Sequence, residues 1–252
     1  MPGRQPPSKT LNWSTRNMTA TAVSTTPLLT ALGMVRDPEL DEPITSLGFV
    51  AACTLSPGGD AEVRLRLPTY FCAPNFAYLM VADAYDAVTA VPGVRTARVL
   101  LEDHFAADAI NGGVAAQAGF AQSFDGEAIG ELHDLRRDFL RKAVLAGTDQ
   151  VCRALRAAGA DPEFLCAITL GEVPPSAALE RLRQRRAELG LPVGDNALLL
   201  VDPATGDPVS AQAVPLHLRR ARVTAISMQA NGGICRGMLR QRYDIPGEED
   251  SQ

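Results

Sequence analysis

Apolar and charged side chains alternate without a break over residues 61–67. This period of two is typical of a β-strand that has one face on a core and the other in water. The run Pro57-Gly58-Gly59-Asp60 just before it is rich in turn-forming residues, and residues 49–55 before the turn favour another strand. Together these segments predict a β-hairpin.

Helical segments flank the hairpin. Thr26-Pro27 combines an N-cap residue with a proline at the first helical position, which predicts a helix start. Asp37-Pro38 predicts the end of this helix, because the residue before a proline disfavours helical geometry. A second helix is predicted over about residues 75–91, and Pro92-Gly93 then leads to a third strand at residues 94–101. The order α-β-β-α-β combines a hairpin with a βαβ crossover.

The second half of the chain is more helical. Apolar residues at helical spacing predict amphipathic helices over residues 127–146 and 176–190, and residues 198–201 favour a short strand. The predicted fold class is α/β, with a small α-β-β-α-β domain around a mixed three-stranded sheet and a helix-rich α/β C-terminal region. The expected organisation is a flexible N-terminal arm at 1–25, the sheet-containing domain at 26–119, the helix-rich domain at 120–246 and an acidic tail at 247–252.

Composition narrows the classes of function. The chain carries 24 Lys and Arg residues against 29 Asp and Glu residues, which argues against nucleic-acid binding through bulk positive charge. No apolar run reaches the roughly 20 residues that span a bilayer, so no membrane association is expected. The five cysteines are widely spaced, form no CxxC pair and follow no secretion signal, which is typical of a reducing compartment. We expect a cytoplasmic protein.

Cys72 is the first candidate for chemistry. It lies in a loop between Pro68 and Pro74, just before the N-terminus of a predicted helix. The positive end of a helix dipole stabilises a thiolate, which is the form that binds soft metals or attacks electrophiles. The alternative is that Cys72 is a small buried hydrophobic residue.

Asp37 and Glu39 form a second candidate. They lie one residue apart between a helix end and a strand, a place where loops commonly carry function. On an extended segment their side chains would point to opposite faces, so they would not share one metal unless the segment turns. The alternative interpretation is that these carboxylates cap turns or accept backbone hydrogen bonds.

His104 and Cys235 complete the candidates. His104 follows the third predicted strand, whereas His133 and His217 lie in charged helical segments and are expected at the surface. Cys235 lies in the run Asn231-Gly232-Gly233-Ile234-Cys235-Arg236-Gly237, which is interpreted as a glycine-rich turn, either around a buried cysteine or forming an anion-binding nest. We expect this segment to fold back toward Cys72 and the Asp37–Glu39 loop, placing a site between the two regions.

Several short motifs occur together in residues 27–105. They are Asp37-Pro38-Glu39-Leu40, Ile44, Leu47-Gly48-Phe49-Val50, Leu67-Pro68-Thr69, Cys72, Pro74 and Val91-Pro92-Gly93-Val94. Their order and spacing resemble the SufT and PaaD-like metal–sulfur cluster assembly family. The resemblance covers less than half of the chain, and the region from residue 120 onward lies outside it and looks like an added domain.

The resemblance implies a compact α/β domain with its motif carboxylates and loop cysteine at one end. The family's motif residues correspond by this resemblance to Asp37, Glu39, Thr69 and Cys72. The usual family loop reads more like Thr-x-x-Gly-Cys-Pro, and this chain departs from it because Phe71 precedes the cysteine and Ala73 follows it.

The function expected from this resemblance is that of a metallocentre maturation factor. It would transiently bind iron or an iron–sulfur cluster and deliver it to a client metalloenzyme, with a di-iron monooxygenase as one candidate client. The candidate metal ligands are Cys72, Cys235, His104, Asp37 and Glu39, with Thr69 as a supporting residue. The expected partners are the client, the iron–sulfur assembly machinery and a second copy of the chain.

Two other functions compete with this one. The first is an enzyme that uses Cys72 as nucleophile and His104 as base, which requires a hydrogen bond between the two side chains. The second is a metal-free adaptor or chaperone in which the C-terminal region docks on the client and the cysteines are incidental.

Overall fold

The computed structural model describes residues 24–124 and 129–245. The arm up to residue 23 and the acidic tail lie outside the described residues. The described chain contains eight helices and three strands, here labelled in chain order: α1 Thr26–Leu32, β1 Val50–Leu55, β2 Asp60–Arg66, α2 Pro74–Thr89, β3 Thr96–Glu102, α3 Ala107–Ala115, α4 Phe120–Ser123, α5 Ile129–Ala157, α6 Pro162–Ala167, α7 Ala177–Leu189 and α8 Val214–Arg242.

The sheet has the order β1-β2-β3, with β1 antiparallel and β3 parallel to the central strand β2. Val63 of β2 lies opposite Cys53 of β1 and Val99 of β3. The alternation of β2 buries Val63 and Leu65 under the helices and leaves Arg64 on the exposed face. The mixed three-stranded sheet and the α/β class are thus confirmed.

Two boundaries differ from the sequence predictions. Helix α1 ends at Leu32 rather than at Asp37, because Gly33 closes the last turn and the backbone bends before the Asp37-Pro38 pair is reached. Its N-cap is Thr25, whose side chain caps no backbone group. The strand predicted at residues 198–201 is replaced by single bridges, one of which joins Leu198 to Thr169.

A buried cation explains the missing strand. Arg186 of α7 is fully buried and donates hydrogen bonds to the carbonyl oxygens of Leu198, at 2.9 Å, and Leu199. These carbonyls are therefore satisfied by a side chain rather than by a neighbouring strand. Burial lowers the pKa of Arg186 to about 10, which leaves it charged at neutral pH.

Helices α5, α7 and α8 form the framework of the C-terminal region. Both predicted helices are present, and α5 continues to Ala157, well beyond residue 146. A second core forms around apolar side chains that include Val144, Leu170, Leu182 and Leu199. His217 of α8 is 6% exposed, so its predicted surface position is wrong, because the start of α8 packs against this region.

The C-terminal half of α8 packs on the sheet-containing region. Leu239 is buried in the first core, the apolar cluster under the sheet that includes Leu28, Phe49 and Val63. The Cδ2 of Leu239 would lie 3.2 Å from a Cβ at Gly48, which adopts a φ of +77°. Arg242 donates hydrogen bonds to the carbonyl oxygens of Leu67, at 3.1 Å, and Asp103, at 2.5 Å. Helix α8 therefore contacts both cores. The predicted boundary between two domains at residue 119 remains a prediction.

The glycine-rich segment is helical. Gly232, Gly233 and Gly237 lie inside α8, so the predicted turn or anion nest is wrong. A Cβ at Gly232 would lie 2.6 Å from Glu42 Oε1, which means that this glycine permits close approach of the helix to the loop after α1. Gly233 and Gly237 have open space at the Cβ position.

Candidate functional site

The loop between β2 and α2 positions Cys72. Its sulfur lies 3.2 Å from Oγ1 of Thr69, and that oxygen accepts a hydrogen bond from the backbone N–H of Phe71 at 3.3 Å. A hydroxyl can accept one hydrogen bond and donate another. The Thr69 hydroxyl that accepts from Phe71 can therefore still donate its own proton to the sulfur. Ala73 is the N-cap of the sixteen-residue helix α2, so the thiol lies at the positive end of its dipole.

His104 holds this loop through a hydrogen bond to its backbone. Its Nε2 lies 2.7 Å from the carbonyl oxygen of Cys72, and its Nδ1 accepts a hydrogen bond from the N–H of Ala106 at 3.2 Å. This pattern requires the tautomer with the proton on Nε2. Burial lowers the pKa of His104, which keeps the ring neutral at pH 7. A role for His104 as metal ligand or base stays a prediction that requires one of these hydrogen bonds to break.

The Asp37-Pro38-Glu39-Leu40 segment turns instead of running straight. Oδ1 of Asp37 accepts hydrogen bonds from the N–H groups of Glu39 and Leu40, both at 2.9 Å. For Asp37, these hydrogen bonds match the alternative interpretation from the sequence, in which the carboxylate accepts backbone hydrogen bonds in a turn. Burial raises the pKa of Asp37 to about 6, and the two backbone hydrogen bonds offset part of that rise.

Cys235 is brought to the same part of the molecule. Its side chain packs, half-buried, against the first core, as does that of Cys72. Its thiol pKa is raised to about 11, chiefly because the side chain is buried. Negative charge on Asp37, Cys72 and Glu39 raises this pKa further, which places all three within electrostatic range of Cys235. The fold therefore brings the two cysteines and the two motif carboxylates into one neighbourhood.

Metal ligation by these side chains stays a prediction. Within residues 24–124 and 129–245, no group of three or more His, Cys, Asp or Glu side chains is arranged to hold a metal ion. The other described cysteines lie elsewhere: Cys53 in β1, Cys152 in α5 and Cys166 in α6. In the described part of the chain, no helix is long and apolar enough to cross a membrane.

An aromatic cluster beside Cys72 was not predicted from the sequence. Tyr70, Phe71 and Phe105 lie with their ring centroids 5.1 to 6.3 Å apart, and Phe71 is 77% exposed. The N–H of Phe105 donates a hydrogen bond to the carbonyl oxygen of Tyr70 at 3.2 Å, which joins the two loops. The available signal was that Phe71 and Phe105 are direct chain neighbours of Cys72 and His104.

The comparisons with known proteins bear on the N-terminal region. Residues 26–101 match the family model described as iron–sulfur cluster assembly protein. No curated protein and no solved structure matches the chain significantly. The match supports a role in iron–sulfur cluster assembly and, in general terms, contact with the assembly machinery. The segment from the start of α1 to the penultimate residue of β3, which includes Cys72, is therefore similar to the iron–sulfur cluster assembly protein family.

Proposed function

We propose that this protein is a metallocentre maturation factor that transiently holds iron or an iron–sulfur cluster at Cys72 and Cys235 and delivers it to a client metalloenzyme. The observation that carries the proposal is the placement of Cys235, which lies on a helix outside the matched family segment and within electrostatic range of Cys72. Thiolates suit iron as a soft ligand set.

Two thiolates suit a cargo better than a resident cluster. Iron in clusters takes four ligands as a rule, so two cysteines leave coordination positions open. A client protein can fill these positions in turn, and the metal then moves by ligand exchange. The high pKa of the Cys235 thiol supports release, because protonation of a thiolate competes with metal binding.

The aromatic cluster of Tyr70, Phe71 and Phe105 supports delivery to a protein. Exposed aromatic side chains are enriched at the centres of protein interfaces. This cluster directly adjoins the loop that carries Cys72, so a protein bound there would come close to the thiol. We define the client by two properties: it accepts iron or an iron–sulfur cluster, and it binds the aromatic cluster. A di-iron monooxygenase is one candidate.

The test measures iron loading under anaerobic conditions. The full chain is incubated with ferrous iron and sulfide, desalted, and assayed for bound iron and for thiolate-to-iron absorption. We expect Cys72→Ala and Cys235→Ala each to lower bound iron severalfold. Cys166→Ala is the matched control, because Cys166 lies in α6 with its thiol donating to the carbonyl oxygen of Glu163. Equal iron in all three variants would overturn the proposed site.

Delivery is tested with the loaded protein and an apo acceptor. Transfer should depend on Phe71, so Phe71→Ser should slow transfer while bound iron stays unchanged. If Phe71→Ser transfers iron at the rate of the unmodified protein, the aromatic cluster is not the client surface.

A further inference from the structure

A cavity of about 530 Å³ lies where the loop after α1 meets α5, α7 and α8. Six arginines line it: Arg36 from the loop, Arg153 from α5, Arg181 and Arg185 from α7, and Arg222 and Arg236 from α8. Only two carboxylates share the lining, those of Asp41 and Glu42. The protein as a whole has a net charge of −5, so this concentration of cations is local.

Existing ion pairs neutralise only part of this charge. Asp41 contacts both Arg185 Nε, at 2.6 Å, and Arg36 Nη1, at 3.9 Å. Asp149, behind the lining, contacts both Arg153, at 3.1 Å, and Arg222, at 3.4 Å. Asp41 and Asp149 are therefore each shared between two guanidinium groups. Glu188 and Glu42 pair with Arg185 and Arg236, both at 2.5 Å, so four carboxylates face six guanidinium groups.

Arg181 adds a cation without a carboxylate. Its Nη2 lies 3.3 Å from Gln150 Oε1, and within the described ranges it forms no ion pair. Burial is the main cause that lowers the pKa of Arg36. The positive charges of Arg185 and Arg181 lower this pKa further. Three guanidinium groups thus repel one another at this end of the cavity.

Arg185 supplies an unused donor. The residue is 6% exposed, and its Nη2 is buried with no hydrogen-bond partner among the described residues. A buried guanidinium N–H without a partner is costly, and an anion in the cavity would remove that cost. The lining of the cavity therefore combines an excess of positive charge with a residue, Arg185, that has a buried donor without an acceptor among the described residues.

We propose that this arginine-lined cavity binds a small multivalent oxyanion of the phosphate class. Several guanidinium groups that converge on one space match the several oxygens of a phosphoryl group, and arginine forms paired hydrogen bonds with phosphate oxygens. The volume lies in the range of small-molecule sites and exceeds what one phosphate needs, so the phosphate groups can belong to pyrophosphate or to a nucleoside triphosphate.

The site is distinct from the proposed metal site but adjoins it. Arg236 follows Cys235 in α8, and Asp41 and Glu42 follow the Asp37–Leu40 turn. An anion bound to Arg236 and Arg185 would contact the same loop that carries the motif carboxylates. Occupancy of the cavity is therefore expected to hold α7 and α8 on this loop.

The test uses the metal-free full chain, so its outcome is independent of iron binding. Calorimetry measures binding of inorganic pyrophosphate and of a nucleoside triphosphate without magnesium at low ionic strength. We expect one binding site, with affinity that falls as salt is raised. Arg181→Gln should weaken binding at least fivefold. Arg98→Gln removes the same charge from the exposed face of the sheet, where Arg98 faces Glu62, and should leave binding unchanged.

Arg185→Gln should weaken binding at least tenfold, with circular dichroism as the check on its folding. If that variant does not fold, the comparison of Arg181→Gln with Arg98→Gln decides alone. Stronger binding of the nucleotide than of pyrophosphate would identify a nucleotide as the source of the phosphates, and the reverse would identify the free anion. No binding of either, equal loss in Arg181→Gln and Arg98→Gln, or binding of citrate but not of pyrophosphate would overturn the proposal.

Discussion

Arg236 Nη1 lies 2.5 Å from Glu42 Oε2, which joins two side chains that are 194 residues apart in the sequence. The other oxygen of the same carboxylate lies over Gly232, one helical turn earlier in α8. Glu42 follows the turn built around Asp37, and Cys235 precedes Arg236. This ion pair therefore links the helix that carries one candidate cysteine to the loop that carries the motif carboxylates.

The Arg236–Glu42 pair should contribute a measurable coupling energy. Both side chains are about one-third exposed, so we expect a coupling of about 0.5–1 kcal/mol that decreases in high salt. A double-mutant cycle of Arg236→Gln and Glu42→Gln, followed by urea denaturation, measures it. The more exposed Arg98–Glu62 pair, at 3.6 Å, is the control and should show almost no coupling. Equal coupling in the two cycles would contradict the structural role of Glu42.

The adjacent glycines of α8 should respond differently to alanine. Gly233→Ala places its Cβ in open space, so the helix gains about 0.5–1 kcal/mol from the better propensity of alanine. Gly232→Ala places a Cβ 2.6 Å from Glu42 Oε1, which has to move away from Arg236. We expect Gly232→Ala to be less stable than Gly233→Ala by about 1 kcal/mol. Thermal and urea unfolding of the two variants make the comparison, and equal stabilisation would rule out close packing at Gly232.

His217 should make stability fall in mild acid. Burial lowers the pKa of His217 below its usual 6.5, and its Nε2 has no hydrogen-bond partner among the described residues. The unfolded chain therefore takes up a proton first as pH falls below 6.5, and the folded state loses stability. Above pH 6.5 this contribution is fully present.

The measurement is the free energy of unfolding at pH 7.5 and at pH 5.5. We expect His217→Gln to lose less stability than the unmodified protein over this interval, by up to about 1 kcal/mol. His133→Gln is the control, since His133 is exposed. A pH dependence unchanged in His217→Gln would show that the ring is not buried in its neutral form.

Cys72 should be the first cysteine to react with iodoacetamide. The thiol pKa is raised by burial to about 12 for Cys152, and to about 11 for Cys235, so each is almost entirely protonated at pH 8. Cys72 lies directly before α2, at the positive end of the helix dipole. Limited labelling followed by peptide mass mapping tests the order. Earlier labelling of Cys152 would contradict the burial described here.

The hydrogen bond between Thr69 Oγ1 and Cys72 Sγ offers a check on the same thiol. Thr69→Val keeps the shape of the side chain but removes the hydroxyl that lies 3.2 Å from the Cys72 sulfur. Because this hydroxyl can stabilise a thiolate, the variant should label severalfold more slowly at Cys72, while labelling at Cys166 stays unchanged.

The local sequence pattern was sufficient to predict the strands and the second helix of the sheet-containing region. The alternation of residues 61–67, the turn before them and the helix after Pro74 all depend on near neighbours in the chain, and each appears in the structure. The predicted position of Cys72 before α2 follows from the same local signals. The end of α1 was harder to predict, because Gly33 closes that helix before Asp37-Pro38 can act.

Other features depended on contacts between distant segments. Glycine propensity predicted a turn at residues 231–237, but the packing of Leu239 in the first core and the contact of Gly232 with Glu42 stabilise a helix there. The strand predicted at residues 198–201 was lost because Arg186, on another helix, satisfies its carbonyl groups.

The sequence alone therefore determined the order of elements in the sheet-containing region and the family resemblance of residues 27–105, since both depend on periodicity and motifs along the chain. Only the tertiary structure decided that Cys235 lies within electrostatic range of Cys72, that Tyr70, Phe71 and Phe105 form one surface and that six arginines line one cavity. The physical reason is that burial, charge and hydrogen bonding act through space. Helix α8 folds back across both cores, so residues some 160 positions apart share one environment that no local pattern records.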